Sequence, residues 1–273
     1  MGGGIAFAKY EGLGNDFVVI DVERETDVPP SVATALCDRH YGVGADGVLL
    51  VLPPRHHECE ARMRVVNADG SVPEMCGNGL RCVALHVARA RDPVAKAVHI
   101  DTDAGPRRCV VEGGRDAAIV TVDMGVVRVT GDLTIDLGDE RVFVTQADAG
   151  NPHIVLLGTF APAEVDRLGP RLAVHPAFPQ GTNVEFARVA GGRVDLVVWE
   201  RGVGRTLACG TGACAAAAVA CAKGIATPDT PVAVRLPGGP LDVTIASGGR
   251  ATLRGPARRV FAGVFEGSAA TTA

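Results

Sequence analysis

Two short stretches of the 273-residue chain carry the residue types best suited to acid–base chemistry: Glu74 to Cys82, EMCGNGLRC, and Leu207 to Ala215, LACGTGACA. Each sets a cysteine directly before Gly-x-Gly, ahead of a helix-forming run. A thiol at a helix N-terminus feels the positive end of the helix dipole, which lowers its pKa from about 8.5 toward neutrality. Glycines after it leave backbone N–H groups open to an anion and admit a carboxylate close to the chain. Cys76 and Cys209 are thus a matched pair of acid–base groups, each beside a carboxylate cradle. Such a pair suits inversion at a carbon α to a carboxylate, with one thiolate removing the proton and one thiol delivering another from the opposite face. Each N–H donor converging on the carboxylate would stabilise the enediolate-like state by roughly 3 kcal/mol. The two sulfurs share one proton, so they titrate as a coupled pair with a bell-shaped rate profile.

Blander roles compete at each position. A lone Cys-Gly is ordinarily a small buried hydrophobe; the matched context of two points to function. Cys82, Cys214 and Cys221 fall on the following helices at core spacing and read as packing. The cysteines at 209, 214 and 221 lack C-x₂-C spacing, and HHEC at 56–59 reads as an exposed loop, so no metal is expected. GVGADG at 42–47 matches G-x-G-x-x-G but precedes strand-like VLLV rather than a helix, which removes the dinucleotide reading. Pyridoxal phosphate is the usual electron sink for amino-acid racemisation and needs a lysine. The chain has only Lys9, Lys96 and Lys223, none in a motif resembling its binding site, and no cofactor is expected. Asn15, Asn67, Asn151 and Asn183 sit beside glycines or strand ends, where turn residues are common; in a repeat that converges on a cleft, polar recognition is the better reading. Glu200 and Arg201 read as a surface ion pair or as pocket groups, Arg201 for a second carboxylate and Glu200 for an ammonium group. His153, in NPH, tunes a cysteine or is a satisfied histidine.

These residues must be held by elements that the pattern also supplies. Short β-branched runs read as strands at 16–21, 47–52, 62–67, 118–124, 141–146, 153–158, 194–200 and 240–245. Helices are expected from Ser31 to His40 with Ser31 as cap, Gly79 to Ala90, Ala163 to Leu172 and Gly212 to Lys223. The order repeats. Cys76 and Cys209 are 133 residues apart, Asn67 and Glu200 share that offset, and GNDFVVI at 14–20 pairs with GNPHIVL at 150–156. Two homologous halves are expected, 1–130 carrying Cys76 and 131–273 carrying Cys209, with GSAATTA as a mobile tail. Related halves commonly pack about a pseudo-twofold axis, and the two motifs are expected to face one another across a cleft.

Composition narrows the setting. A 47% hydrophobic chain builds a substantial core, and a net charge of −4 without like-charge runs offers no footprint for nucleic acid or an anionic membrane. No apolar run reaches the ~18 residues that span a bilayer, and MGGGIAFAKY lacks signal-peptide features. Eight cysteines in a large, signal-free chain argue for reduced thiols and a cytoplasmic location.

The stretches GLGNDFVVID, NADGSVPEMCGNGLRC, GNPH, GTNVEF and WERGVGRTLACGTGACA together resemble the diaminopimelate epimerases over nearly the whole chain. The resemblance implies an α+β fold of two homologous, pseudo-symmetric domains, each a mixed, mainly antiparallel barrel-like sheet around a central helix, assembled as a homodimer. It implies an epimerase that needs no pyridoxal phosphate or metal and converts the small-molecule substrate LL-2,6-diaminopimelate to the meso form for lysine and peptidoglycan synthesis. By the same resemblance Cys76 is proton donor and Cys209 acceptor in one direction, with roles exchanged in reverse. Gly77, Asn78, Gly210 and Thr211 hold the reacting carboxylate; Asn15, Asn67, Asn151, Asn183, Glu200 and Arg201 bind substrate; His153 and Glu200 tune the cysteines. Two positions depart from the pattern. Some members have glutamine where this chain has Gly47, and a glutamate common before the second motif is Arg205 here, which lowers the Cys209 pKa or points to solvent. Alternatives are a cysteine-pair racemase of another amino acid such as histidine, a cysteine hydrolase or thiol–disulfide protein, and a non-catalytic amino-acid-binding protein.

Since both sulfurs must approach one carbon, mild oxidation is expected to join Cys76 to Cys209 and abolish activity. Non-reducing peptide mapping checks this, and inactivation without that crosslinked peptide would contradict it.

Overall fold

The computed structural model describes residues 4–73, 75–91 and 96–266; the GSAATTA tail expected from the sequence lies outside the described residues. The chain divides into two units, Met1–Val122 with Gly255–Ala273 and Asp123–Arg254. In chain order come β1 (Ile5–Gly12), β2 (Asn15–Asp21), α1 (Pro30–Cys37), β3 (Gly47–Leu52), β4 (Ala61–Asn67), α2 (Gly77–Arg89), β5 (Ala97–Asp101), β6 (Arg107–Gly113) and β7 (Ala117–Val126). Then follow β8 (Arg128–Asp136), β9 (Arg141–Asp148), β10 (Pro152–Leu157), α3 (Pro162–Ala173), β11 (Asn183–Ala190), β12 (Arg193–Glu200), β13 (Gly204–Thr206), α4 (Gly210–Ala222), β14 (Val232–Leu236), β15 (Gly239–Ile245) and β16 (Arg250–Phe265).

In the first unit β1 to β7 pair in sequence order, parallel at β2–β3 and β4–β5 and antiparallel elsewhere. β16 pairs with β7, and its later part runs antiparallel to β1 from Ile5↔Phe265 to Glu11↔Arg258, which closes the sheet on itself. Helix α2 lies against β1 to β6 and so occupies the middle of the barrel. The second unit repeats the plan in the order β8-β9-β10-β11-β12-β14-β15-β16, with β13 added to β12 and α4 packed on β8, β9, β10, β11, β12, β14 and β15. This is the expected mixed sheet around a central helix. The division differs from a contiguous boundary at 130/131: residues 255–265 return to the first unit because they pair with β1, a contact more than 240 residues apart in sequence that no local pattern registers.

Burial explains the strand composition. β3, GVLLVL, is buried throughout because both its faces are covered. Val48 and Leu50 join Ala33 and Leu36 of α1 in one core cluster, while Leu49 lies on the other face against Gly79 of α2. The second unit does the same, with Val165, Leu168 and Leu172 of α3 packed on Ile154, Leu156, Val184 and Phe186. A fully buried side chain such as Leu36 or Leu172 contributes about 1.5–3 kcal/mol. Helix α4 reads GTGACAAAAVACA because Gly210 through Ala220 are all buried, and alanine combines small volume with high helix propensity. Two details differ from the sequence pattern. Ser31 does not cap α1, which starts one residue earlier at Pro30 with Pro29 in the cap position. The central helices start two residues before Gly79 and Gly212, because the cysteines themselves are the caps.

Helix α3 meets the sheet through Gly169, where an added Cβ would lie 2.6 Å from Trp199. Glycine to alanine inside a helix ordinarily gains up to about 1 kcal/mol, whereas overpacking costs about 1–3 kcal/mol. Gly169→Ala is therefore expected to destabilise by about 1–2 kcal/mol, read by denaturant unfolding; a raised midpoint would contradict the packing argument.

Candidate active site

Cys76 and Cys209 occupy the same position in their units. Each is the N-cap residue of the central helix in extended backbone geometry, φ −140° and ψ 103° for Cys76, φ −127° and ψ 114° for Cys209. Cys76 Sγ accepts the Gly79 N–H at 3.3 Å and Cys209 Sγ the Gly212 N–H at 3.4 Å, so sulfur fills the role usually taken by a serine or aspartate oxygen. The N–H groups of Gly77 and Asn78, and of Gly210 and Thr211, belong to the first helical turn and have no carbonyl partner within their own helix. They are the positions a carboxylate would approach.

The second glycine of each motif has a different reason from the one the sequence suggests. A Cβ on Gly79 would sit 2.9 Å from Leu49 Cδ2, and one on Gly212 would sit 2.9 Å from Glu185 Oε1. Those glycines let the helix seat against the strand beneath it. Access for an anion is left to the first glycine.

The first unit gathers its polar residues at the same end. Asn78 Nδ2 donates to Asn15 Oδ1 at 3.1 Å, and Asn15 Nδ2 donates to Asp46 Oδ2 at 2.6 Å. Arg39 holds Asp46 and Asp16, at 2.7 Å each. Asn67 ends β4 opposite Gly47 of β3, and its Nδ2 donates to Ser71 Oγ at 3.0 Å. Sequence reasoning missed Arg39, Asp46 and Ser71. Asp46 lies inside GVGADG, so a signal was present but was weighed only as a dinucleotide motif. At Gly47 a Cβ would lie 2.9 Å from the Val66 carbonyl.

In the second unit His153 of β10 stands beside Asn183 of β11 in parallel register. His153 Nδ1 is 2.7 Å from Glu185 Oε1 and Nε2 is 2.8 Å from Asn151 Oδ1. Asn183 Oδ1 accepts the Arg201 backbone N–H at 2.9 Å and its Nδ2 donates to the Pro152 carbonyl at 3.0 Å. Glu200 and Arg201 do not form the surface pair considered from the sequence: Glu200 Oε1 accepts the Thr206 hydroxyl at 2.6 Å, and the Arg201 guanidinium donates to the Gln180 carbonyl at 3.0 Å. Arg205 reaches Asp166 of α3 at 3.2 Å, so its charge is spent on a half-exposed ion pair. Glu185 and Thr206 were not singled out, although a glutamate between Val184 and Phe186 in a strand was a readable signal.

The electrostatics of Cys209 reverse the expectation from the helix dipole. Burial pushes the thiol well above its ordinary value, the Glu200 and Glu185 carboxylates push it further, and the Thr211 hydroxyl and Gly212 N–H oppose them. Glu200 is itself raised, first by burial and also by Glu185, against lowering by the Thr206 hydroxyl, by His153 and by a hydrogen bond from Cys209. Desolvation outweighs a dipole worth about 0.3–1 kcal/mol at a helix end. A separate groove of about 440 Å³ in the first unit, lined by Asp21, Glu23, Glu60 and His86 among others, contains none of the predicted site residues. Among the described residues no helix is long and apolar enough to cross a membrane.

Fold and site define a class. The chain aligns with a hydroxyproline epimerase from Agrobacterium vitis, crystallised with trans-4-hydroxy-L-proline, at a TM-score of 0.74 and 18% identity over 96% of this chain and 92% of that one. A PhzF-family phenazine biosynthesis protein from Bacillus anthracis aligns at 0.73 and 13% over 96% and 99%. At such identities the likeness is one of fold: two related α+β units of the proline racemase and PhzF type. Sequence is more specific. A family model for diaminopimelate epimerase matches residues 7–130 and 145–260. The diaminopimelate epimerase of Microcystis aeruginosa is 41% identical over 283 residues, covering 96% of this chain and 99% of the relative, and that of Desulforudis audaxviator is 45% identical over 279 residues, covering 94% and 98%. The chain belongs to the diaminopimelate epimerase family and is an isomerase.

Glu200 yields a prediction with a definite sign. Its folded-state pKa lies above the ordinary 4.5, so above that pH the native state binds more protons than the unfolded chain and stability falls as pH rises. Glu200→Gln is expected to raise the unfolding midpoint at pH 8 and to change it much less at pH 4. A midpoint lowered equally at both pH values would contradict this.

Proposed function

We propose that the enzyme converts LL-2,6-diaminopimelate to meso-diaminopimelate without a cofactor, by two-base proton transfer between Cys76 and Cys209, in the bacterial route to lysine and peptidoglycan. The observation that supports this reading is the pair of cysteine-capped helices with matching backbone geometry, one in each unit. Inversion demands a base and an acid on opposite faces of the carbon, and a duplicated thiol supplies both.

Cys209 begins as the protonated partner, because burial and two carboxylates disfavour its thiolate. In that state it is the acid. For the reverse direction it starts as the thiolate left after giving its proton to the carbon, and Cys76, protonated in the same turnover, is then the acid. The substrate's α-carboxylate sits against the first-turn N–H groups, where the growing negative charge of the enediolate-like state meets donors already oriented. Asn15, Asn67, Asn151 and Asn183 hold the amino groups and the distal arm. Arg201 retains guanidinium N–H donors for the second carboxylate beyond the one on the Gln180 carbonyl. The assembly is a cytoplasmic homodimer on this reading.

The test is incubation of the reduced protein with LL-diaminopimelate in D₂O without added cofactor, followed by proton NMR and chiral analysis. Solvent deuterium is expected at the α-position together with formation of the meso isomer. Cys76→Ala and Cys209→Ala are each expected to lower inversion by about 10²- to 10⁴-fold or more. Full inversion by either variant would sink the two-base scheme.

A further inference from the structure

The two units provide an internal control for one buried pair. In the first unit β2, β3 and α2 bring Phe17, Gly47 and Leu49 together beneath Cys76: Phe17 pairs with Gly47 across the parallel strands, and Leu49 lies under Gly79. In the second unit the same register holds His153 paired with Asn183, and Glu185 lies under Gly212. Both comparisons use one offset of 136 residues, from Phe17 to His153 and from Leu49 to Glu185. Where one unit uses phenylalanine and leucine, the other uses histidine and glutamate. The fold has no need of polar groups there.

The polar version is also the costly one. The side chains of His153 and Glu185 are both 0% exposed. Glu185 Oε1 faces His153 Nδ1, but Glu185 Oε2 is buried with no hydrogen-bond partner among the described residues. A buried carboxylate oxygen left this way carries a desolvation penalty that a leucine would avoid. Local rules broken without structural need mark functional positions. The chain of contacts shows what it delivers: Glu185 orients the imidazole, whose other nitrogen holds Asn151 Oδ1 and so turns the Asn151 amide N–H groups outward from the ring. The groups around Cys209 are Glu200 at the end of β12, Glu185 on β11, His153 on β10 and Thr211 on α4.

We propose that Glu185 is a positioning residue of the reaction, which acts through His153 to fix the Asn151 side chain and which adds a second carboxylate behind Cys209. This rests on Cys209 and Asn151 belonging to the site, and the experiment separates the two claims. Glu185→Gln keeps the shape and removes the charge. The double variant with His153→Phe and Glu185→Leu reproduces the apolar pair of the first unit.

Three readouts are compared with the unsubstituted enzyme: kcat and KM for LL-diaminopimelate, the pH dependence of Cys209 alkylation by iodoacetamide read by peptide mass spectrometry, and the unfolding midpoint. Glu185→Gln is expected to lower kcat/KM by about tenfold to 100-fold, and to move half-maximal alkylation of Cys209 to lower pH. The double variant is expected to fold and to lose inversion by about 100-fold or more. A Glu185→Gln enzyme with unchanged kcat/KM and an unchanged alkylation profile overturns the proposal, as does a folded double variant of full activity. If the double variant does not fold, Glu185→Gln still decides. Absence of α-proton exchange in the unsubstituted enzyme overturns the two-base reading instead, and the alkylation profile then tests Glu185 by itself.

Discussion

A helix enclosed by strands must begin somewhere, and its first N–H groups have no carbonyl behind them. In both units that beginning is closed by a cysteine sulfur that accepts the N–H of the third helical residue. The remaining structure follows from keeping that bond in place. The residue that donates it is glycine, where a Cβ would lie 2.9 Å from the Leu49 side chain at Gly79 or from the Glu185 side chain at Gly212. The body of the helix must fit inside the barrel, and α4 does so with seven alanines among its thirteen residues. Strands that touch the helix on one face and an outer helix on the other lose their polar alternation, as in β3. Each of these thiols is thus a structural cap as well as a candidate acid–base group.

Duplication supplied two such caps, and divergence made them chemically unequal. Cys76 is half-buried, whereas Cys209 is buried, with Glu200 and Glu185 close enough to disfavour its thiolate. The difference arises from the second unit's polar core, where His153, Glu185 and Glu200 stand at positions filled by Phe17, Leu49 and Asn67 in the first. The polar groups differ correspondingly: amide side chains braced by Asp46 and Arg39 in one unit, and a carboxylate–imidazole–amide chain in the other.

Much of this was legible in the residues. The strands from Asp16, Gly47, Arg141 and Val194 were visible because β-branched runs between turn residues have no competing helical period. The cysteine motifs and their asparagine companions were visible because they recur at a nearly constant offset. Ser31 shows how local rules fail: serine is a preferred cap, but consecutive prolines set the backbone for a helix that starts before it. The pKa argument failed for the same kind of reason. A helix dipole is a local property, readable from Cys-Gly-x-Gly, whereas burial and the approach of Glu185 from another strand are not.

The sequence by itself determined the family to which the chain belongs and that its two cysteine motifs come as a matched pair, because residue type and spacing along the chain encode these directly. Tertiary structure alone decided that β16 returns to close the first barrel, that the second glycine of each motif serves packing, that Arg205 is spent on Asp166, and that Cys209 is buried beside two carboxylates that raise its pKa. Each of those depends on a distance between residues far apart in the chain. Pairing, desolvation and Coulomb interaction act through space, and only the folded chain sets those distances.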